Sequence, residues 1–111
     1  MKLYLAGPMR GYPDLNYPAF AAAAESLRLA GHLVYNPAEN DAGSLRANLA
    51  ADTAWISLVA DGVVLLPGWS QSLGAKAENA LRACLDLHAW ELDSFLRKHA
   101  RTSASQSGAT Q

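Results

Sequence analysis

A single glutamate, Glu78, lies on an alanine-rich stretch that follows the loop "PGWSQS". On a helix, Gly74 and Ala75 would lie four and three residues before it, on the same face. Glycine at that position removes the side chain that would otherwise cover the carboxylate, so a ligand has room over the start of the helix. Such a carboxylate can stabilise a developing positive charge or bond to it. The alternative is an ordinary surface glutamate.

Two other side chains accompany this carboxylate in the predicted fold. Asp52 and Trp55 are three residues apart, so they share a face of a predicted helix and offer a carboxylate beside a large apolar plate. Tyr4 points out of the first predicted strand, and its hydroxyl would reach Glu78 if the first and third strands are neighbours. Each of these residues alone also fits a purely structural role.

The loop after the first strand suggests an anion site. Arg10 precedes Gly11 and follows Gly7 and Pro8, and a guanidinium beside glycines with exposed backbone N–H groups suits a phosphate or carboxylate. Ser72 takes the predicted cap position of the third helix, where its hydroxyl and the free N–H groups face the same edge. Together they predict a monophosphate clamp. Separately they fit an exposed arginine on a turn and a plain helix cap.

Apolar runs and helical spacing predict the elements that position these residues. The predicted strands cover 2–6, 32–37, 62–67 and 88–92, and the predicted helices cover about 16–30, 44–60 and 72–87. The second helix takes its apolar positions from Leu45, Leu49, Ala54, Ile56 and Leu58. This alternation predicts a single α/β domain, a Rossmann/flavodoxin-like three-layer sandwich with a mainly parallel sheet of four to five strands.

In an open parallel sheet, ligands collect at the carboxyl ends of the strands. The loops after the first three strands are therefore candidates. His32, Asp61 and His88 each come just before or at the start of a predicted strand, so we expect them at the opposite edge and outside the site. No cluster of histidines, cysteines and carboxylates has the spacing of metal ligands, so the sequence predicts neither a metal nor a cofactor.

Composition narrows the function classes. The 111 residues are 50% hydrophobic and carry a net charge of −1, which favours a compact globular domain and argues against duplex nucleic acid as a partner. The one cysteine, Cys84, cannot form an internal disulfide, and we expect it to pack in the core of a cytoplasmic protein. No run approaches the roughly 20 apolar residues of a membrane span, and the N-terminus does not read as a signal peptide.

The domain is predicted to cover residues 1–95. The remainder, 96–111, is basic at first and then rich in serine, alanine and glycine, which predicts a disordered tail. Its basic start fits either a solvated helix end or a contact with a phosphate.

Several of these motifs together resemble the nucleoside 2-deoxyribosyltransferase superfamily. They are "LYLAGPMRG", an acidic residue with tryptophan three later, and "SLGAKAE". Within that superfamily, the chain is most similar to a small phage and bacterial deoxyribosyltransferase-like group (DUF4406-like). The patterns "AGPM-x-GYPD-x-N-x-PAF" and "LLPGW-x-x-S-x-GA-x-x-E" of that group recur here between residues 4 and 78. The resemblance covers roughly residues 2–92.

The resemblance implies a role for each matching residue. Glu78 matches the superfamily's nucleophile, Tyr4 the tyrosine that hydrogen-bonds it, and Asp52 the aspartate that assists the departing base. Ser72 and Arg10 match phosphate-contacting positions of the branch that hydrolyses deoxynucleoside 5′-monophosphates. Transferases that act on free nucleosides lack that arginine and usually carry aspartate where Ser72 stands.

The implied function is cleavage of the N-glycosidic bond of a nucleoside 5′-monophosphate. One alternative is a deoxyribosyltransferase that exchanges bases on free nucleosides, and another is a module that binds a nucleotide without cleaving it. The base would be selected by loop residues such as Tyr12, Asp14, Asn16 and Trp69. Because members of the superfamily share sites between subunits, the resemblance also implies a homodimer or a larger homo-oligomer.

Overall fold

A computed structural model, which describes residues 1–98, contains one parallel sheet of four strands. The strands are β1 (Lys2–Ala6), β2 (Leu33–Tyr35), β3 (Gly62–Leu65) and β4 (His88–Glu91), in the spatial order β2-β1-β3-β4. The helices are α1 (Tyr17–Leu29), α2 (Leu45–Leu58), α3 (Leu73–Cys84) and α4 (residues 92–98). The predicted α/β class, parallel sheet and element order are confirmed.

Alternate residues of the two central strands face opposite sides of the sheet, as strand geometry requires. Leu3 and Leu5 of β1 pack with residues of α1 and with Phe95 of α4, whereas Tyr4 of β1 packs with Ile56 of α2. Helices therefore cover both faces of the sheet, which makes a three-layer sandwich. The α2 and α3 side of this sandwich contains Tyr4 and is the side that carries the site.

Serine caps set the start of the two helices on that side. Ser44 Oγ accepts a hydrogen bond from the backbone N–H of Ala47 at 3.1 Å, and Ser72 Oγ accepts one from Ala75 at 3.2 Å. Each serine satisfies an N–H group that the first helical turn leaves without a partner. The first turns of α2 and α3 thereby begin at the carboxyl edge of the sheet.

The expectation that Cys84 packs in the core is wrong, and two apolar positions of the second helix are exposed. Leu45 and Leu58 of α2 are 64% and 83% exposed, because the buried face of this helix is formed by Asp52 and Ile56, four residues apart. Cys84 is exposed rather than packed in the core. It lies nine residues, or about two and a half helical turns, after the buried Ala75, so it points to the opposite side of α3.

The last described element closes the α1 side of the sheet. Phe95 is fully buried in α4 and makes edge contacts with the rings of His32 and Trp90, at centroid distances of 5.3 and 5.0 Å. Residues 96–98 continue this helix, and the rest of the predicted tail, 99–111, lies outside the described residues. Within residues 1–98, no helix is long and apolar enough to cross a membrane.

Candidate active site

Tyr4 and Glu78 form the centre of the candidate site. β1 and β3 are neighbours, as the predicted contact requires, and Tyr4 is paired in register with Val63. The Tyr4 hydroxyl donates a hydrogen bond of 2.5 Å to Glu78 Oε2. Tyr4 is completely buried and Glu78 is only 7% exposed, so Glu78 is not an ordinary surface glutamate. Both expected partners therefore meet beneath α3.

A second tyrosine and carboxylate lie beside the first pair. Tyr35 of β2 is the register partner of Tyr4, and the two rings stack at a centroid distance of 5.4 Å and an angle of 24°. The Tyr35 hydroxyl donates to Asp52 Oδ1 at 3.0 Å, and its ring also contacts Trp55 at 5.1 Å. Asp52 and Trp55 share one face of α2 as their spacing predicts, whereas no sequence motif includes Tyr35. The sequence does carry one sign of this pairing, because tyrosine is the third residue of both β1 and β2.

Burial controls the protonation of both carboxyl groups. It raises the pKa of Glu78 to about 8, the charge of Asp52 adds to that rise, and the hydrogen bond from Tyr4 opposes it. Burial likewise raises the pKa of Asp52, while the hydrogen bond from Tyr35 and the nearby hydroxyl of Tyr4 oppose the rise. At neutral pH, Glu78 is therefore mostly a neutral acid in the free protein.

The two tyrosines remain neutral donors. Burial raises the pKa of Tyr4, and the charges of Glu78 and Asp52 raise it further. Burial and the hydrogen bond to Asp52 raise the pKa of Tyr35 to about 12. Among the described residues, neither carboxylate of the site forms an ion pair, so the tyrosines are their main polar partners.

Each carboxyl group keeps one oxygen available. No described residue donates a hydrogen bond to Glu78 Oε1 or to Asp52 Oδ2. Within residues 1–98, no fully buried side-chain oxygen or nitrogen lacks a partner, so these two oxygens reach the surface. A ligand can therefore contact one oxygen of each group while a tyrosine holds the other.

The start of α3 above Glu78 is open. A side-chain carbon at Gly74 would have only Ser72 Oγ as a neighbour, at 4.0 Å, so that part of the helix is not covered. The Ser72 hydroxyl serves as the helix cap that the sequence predicts. Its position at the helix start leaves its own hydrogen free for a ligand, because the cap uses the oxygen as acceptor.

The predicted clamp partners do not touch each other. Arg10 is exposed and makes no hydrogen bond or ion pair with any residue that the structure describes, Ser72 included. Packing requires glycine at position 7, because a side-chain carbon there would lie 2.8 Å from Leu66 Cβ. Gly11 has a φ of +82°, which glycine adopts without strain. The loop thus presents Arg10 to solvent on a backbone that two glycines allow.

The predicted base-contacting residues of the same loop have different surroundings. Tyr12 is 42% exposed and lies over Gly68, where a side-chain carbon would come within 2.7 Å of the tyrosine hydroxyl. Asn16 donates a hydrogen bond to the backbone oxygen of the buried Pro8 at 2.9 Å, so its amide holds the loop. Asp14 is exposed, with a φ of +53°. Tyr12 and Asp14 remain open to a ligand.

Trp69 lies at a separate cavity. This cavity of about 300 Å³ is formed where β3 and β4 end, and it is lined by Leu65, Leu66, Pro67, Gly68, Trp69, Ser70, Glu91, Leu92 and Asp93. Its lining does not include Tyr4, Asp52 or Glu78. Of the four predicted base-contacting residues, only Trp69 lines this cavity, and Trp69 also packs against the core cluster that contains Tyr4.

The residues expected outside the site lie at the amino edge of the sheet. Asp61 Oδ2 accepts a hydrogen bond of 2.7 Å from the backbone N–H of Lys2, and His32 lies 3.0 Å from the N-terminal amine of Met1. His88 begins β4 at the same edge. In the described part of the chain, no three histidine, cysteine or acidic side chains are placed to hold a metal ion.

Comparison with known sequences gives one family. The sequence profile described as "Domain of unknown function (DUF4406)" matches residues 1–89, from β1 into β4, and so includes both tyrosine–carboxylate pairs. No curated protein and no solved structure matches the chain. Because the profile covers most of the 111 residues, the chain belongs to the DUF4406 family.

Proposed function

We propose that the protein cleaves the N-glycosidic bond of a nucleoside 5′-monophosphate and releases free base and sugar phosphate. The observation that carries this proposal is the hydrogen bond between Tyr4 and Glu78, beside a second tyrosine and carboxylate pair. Two buried carboxyl groups, each with one available oxygen, suit a reaction that needs both a nucleophile and a proton donor. The resemblance to the nucleoside 2-deoxyribosyltransferase superfamily supports the same roles.

In the first step, Glu78 Oε1 bonds to C1′ of the sugar as the bond from C1′ to the base nitrogen breaks. The electron pair of that bond goes to the base, which takes a proton from Asp52. The transition state carries positive charge on the sugar ring, and an ionised Glu78 stabilises it. Tyr4 keeps the other Glu78 oxygen in place throughout.

In the second step, water attacks C1′ and the bond to Glu78 breaks. The electron pair returns to the Glu78 carboxylate, and the proton of the attacking water returns to Asp52. A free base in place of water would give a new nucleotide by the same chemistry. Hydrolysis and base exchange therefore differ only in the acceptor.

The start of α3 and the loop after β1 would bind the phosphate. The Ser72 hydroxyl and the free N–H groups of the first helical turn attract an anion. Arg10, which has no described partner, can turn toward a bound phosphate without breaking an existing contact. A phosphate held there would position the sugar over the open space at Gly74.

One observation favours a binding module that does not cleave. With its pKa at about 8, Glu78 in the free protein is mostly protonated at pH 7, and a neutral acid does not attack C1′. A protonated Glu78 could instead donate a hydrogen bond to a bound nucleotide. This alternative differs from the enzyme in requiring no product.

Incubation with a panel of nucleotides and nucleosides, followed by mass spectrometry, tests the proposal. We expect free base and sugar phosphate from at least one 5′-monophosphate without any acceptor base, and none with Glu78→Gln. Product that appears only with an added acceptor base would favour the transferase. Tight binding that is unchanged in Glu78→Gln, with no product after hours, would favour the binding module.

We also propose that a second copy completes the site, in a cytoplasmic homodimer or larger homo-oligomer. The first residues of α2 and α3, Leu45 and Leu73, are 64% and 81% exposed in the single chain, on the edge that carries the site. Exposed leucines beside a site that is open on one side suit a subunit contact. Light scattering of the purified protein measures this directly, and a monomer at micromolar concentration would refute it.

A further inference from the structure

The register of the sheet sets the spacing between the two carboxyl groups. Tyr4 and Tyr35 lie directly beside each other on adjacent parallel strands, and adjacent strands are about 4.8 Å apart. Both hydroxyls point to the side covered by α2 and α3, where one binds Glu78 and the other binds Asp52. The sheet thus aligns the two tyrosines, and each helix supplies one carboxyl group: α3 places Glu78 against Tyr4, and α2 places Asp52 against Tyr35.

We propose that Tyr35 is a positioning residue, which holds Asp52 Oδ1 so that Oδ2 is the oxygen presented to the departing base. This inference rests on the proposed function and assigns a residue that the sequence motifs do not include. It adds to the site a second tyrosine whose role is distinct from that of Tyr4, because Tyr4 acts on the group beneath the sugar.

The surroundings of Tyr35 suit this role. Its ring contacts the rings of Tyr4 and Trp55, at centroid distances of 5.4 and 5.1 Å, and those two rings are themselves 6.5 Å apart. The three rings thus pack as a cluster that restricts the direction of the Tyr35 hydroxyl. Asp52 is only 9% exposed, and water offers it few alternative donors. Without the Tyr35 hydroxyl, the carboxyl group would lose the hydrogen bond that fixes its rotation, and a proton donor must be oriented closely to act.

The variant Tyr35→Phe removes the hydroxyl and keeps the ring stack. We expect kcat to fall about fivefold for a nucleotide with a neutral base, with little change in KM, since a neutral hydrogen bond contributes about 1 kcal/mol. A nucleotide whose base already carries a positive charge, such as an N7-methylated purine, needs no proton to leave. We expect its kcat to change less than twofold. The variant Asp52→Asn should likewise lose kcat for the nucleotide with a neutral base and keep kcat for the nucleotide with a positively charged base.

A second measurement does not depend on activity. Titration of the side-chain carboxyl carbons by NMR reports the pKa of Asp52 in the wild type and in Tyr35→Phe. Because the hydrogen bond from Tyr35 opposes the rise in the pKa of Asp52, we expect that pKa to move upward in the variant. Tyr17→Phe is the matched control: Tyr17 is 42% exposed at the start of α1 and should leave both the titration and the kinetics unchanged.

The outcomes separate this inference from the proposed function. The substrate split together with an upward shift for Asp52 supports the positioning role. An equal loss of kcat for both substrates, or an unchanged Asp52 titration, overturns it while the wild-type activity still stands. A wild type that cleaves no nucleotide refutes the proposed function itself, and the positioning role of Tyr35 in catalysis falls with it.

Discussion

Tyr4 and Glu78 are separated by 74 residues in the sequence and joined by a hydrogen bond of 2.5 Å in the fold. The contact depends on β1 and β3 being neighbours, which places the middle of the first strand under the second turn of α3. A buried carboxyl group with a single tyrosine donor is sensitive to the loss of that donor, because no water replaces it fully.

Tyr4→Phe removes that donor without changing the packing of the ring. We expect the pKa of Glu78 to rise further above its ordinary value, since the Tyr4 hydrogen bond is the contribution that opposes the effect of burial. The free energy of unfolding should fall by about 1.5–3 kcal/mol at pH 9, where Glu78 is ionised, and by less at pH 6. Urea unfolding at both pH values measures this, and Tyr17→Phe serves as the control. An equal loss at both pH values would show that packing, rather than the hydrogen bond, is responsible.

Glu78→Gln should change the pH dependence of stability. In the wild type, the pKa of Glu78 is raised from 4.5 to about 8, so between these values the folded state binds more protons than the unfolded state. The free energy of unfolding therefore falls as the pH rises from about 4.5 to 8, and a favourable contribution present at low pH is lost.

The raised pKa of Asp52 acts in the same direction. Glutamine does not ionise, so the variant should lose the part of this slope that Glu78 causes and gain on the order of a few kcal/mol over the wild type between pH 5 and pH 8. Urea unfolding at these two pH values provides the comparison. Parallel pH profiles for the two proteins would contradict a raised pKa at Glu78.

Much of this arrangement can be predicted from the sequence, because it depends on the periodicity of apolar residues and on the order of the strands and helices along the chain. The β-branched run at β3 and the helical spacing after it place Glu78 near the carboxyl edge, and the expectation that Tyr4 reaches it follows from the strand order. Tyr35 was missed because its role arises from the register between β1 and β2, which no single motif encodes. The exposure of Cys84 was missed because alanines and leucines on every side of α3 hide which face is buried.

Gly68→Ala should destabilise the protein and move the loop that carries Arg10. The φ of Gly68 is +85°, and an added side-chain carbon would lie 2.7 Å from the Tyr12 hydroxyl and 3.2 Å from Pro8 Cγ. We expect a loss of about 1–2 kcal/mol from the backbone and an additional loss from the clash.

Gly43→Ala is the matched control, because Gly43 has a φ of +96° and nothing within 4 Å of its added carbon. The loss of stability in Gly68→Ala beyond that in Gly43→Ala measures the clash with Tyr12 and Pro8. In the double variant Gly68→Ala/Tyr12→Ala, part of this extra loss should disappear. Equal losses in urea unfolding for Gly68→Ala and Gly43→Ala would mean that the Tyr12 contact contributes nothing.

Arg10→Ala should affect substrate binding and leave the fold intact. Since Arg10 is exposed and makes no hydrogen bond or ion pair among the described residues, its loss removes no structural contact, and the thermal midpoint should be unchanged. KM for a 5′-monophosphate should rise about tenfold or more, because a charged hydrogen bond to phosphate is lost, while KM for the matching nucleoside stays constant. Steady-state kinetics with the monophosphate and the matching nucleoside measures this. Equal changes in KM for the two substrates would mean that Arg10 does not bind the phosphate.

The pH dependence of cleavage distinguishes a nucleophilic Glu78 from a neutral one. In the free protein its pKa is about 8, and attack on C1′ requires the ionised form. For a nucleotide with an N7-methylated purine, which needs no proton from Asp52, we therefore expect kcat/KM of the wild type to rise about tenfold per pH unit below that value and to level off above it, with the rise reporting the free enzyme. Tyr4→Phe should move the midpoint of this rise upward, because it removes the hydrogen bond that favours ionisation. A rate for this substrate that does not rise across the same interval would mean that the ionised form of Glu78 is not the nucleophile.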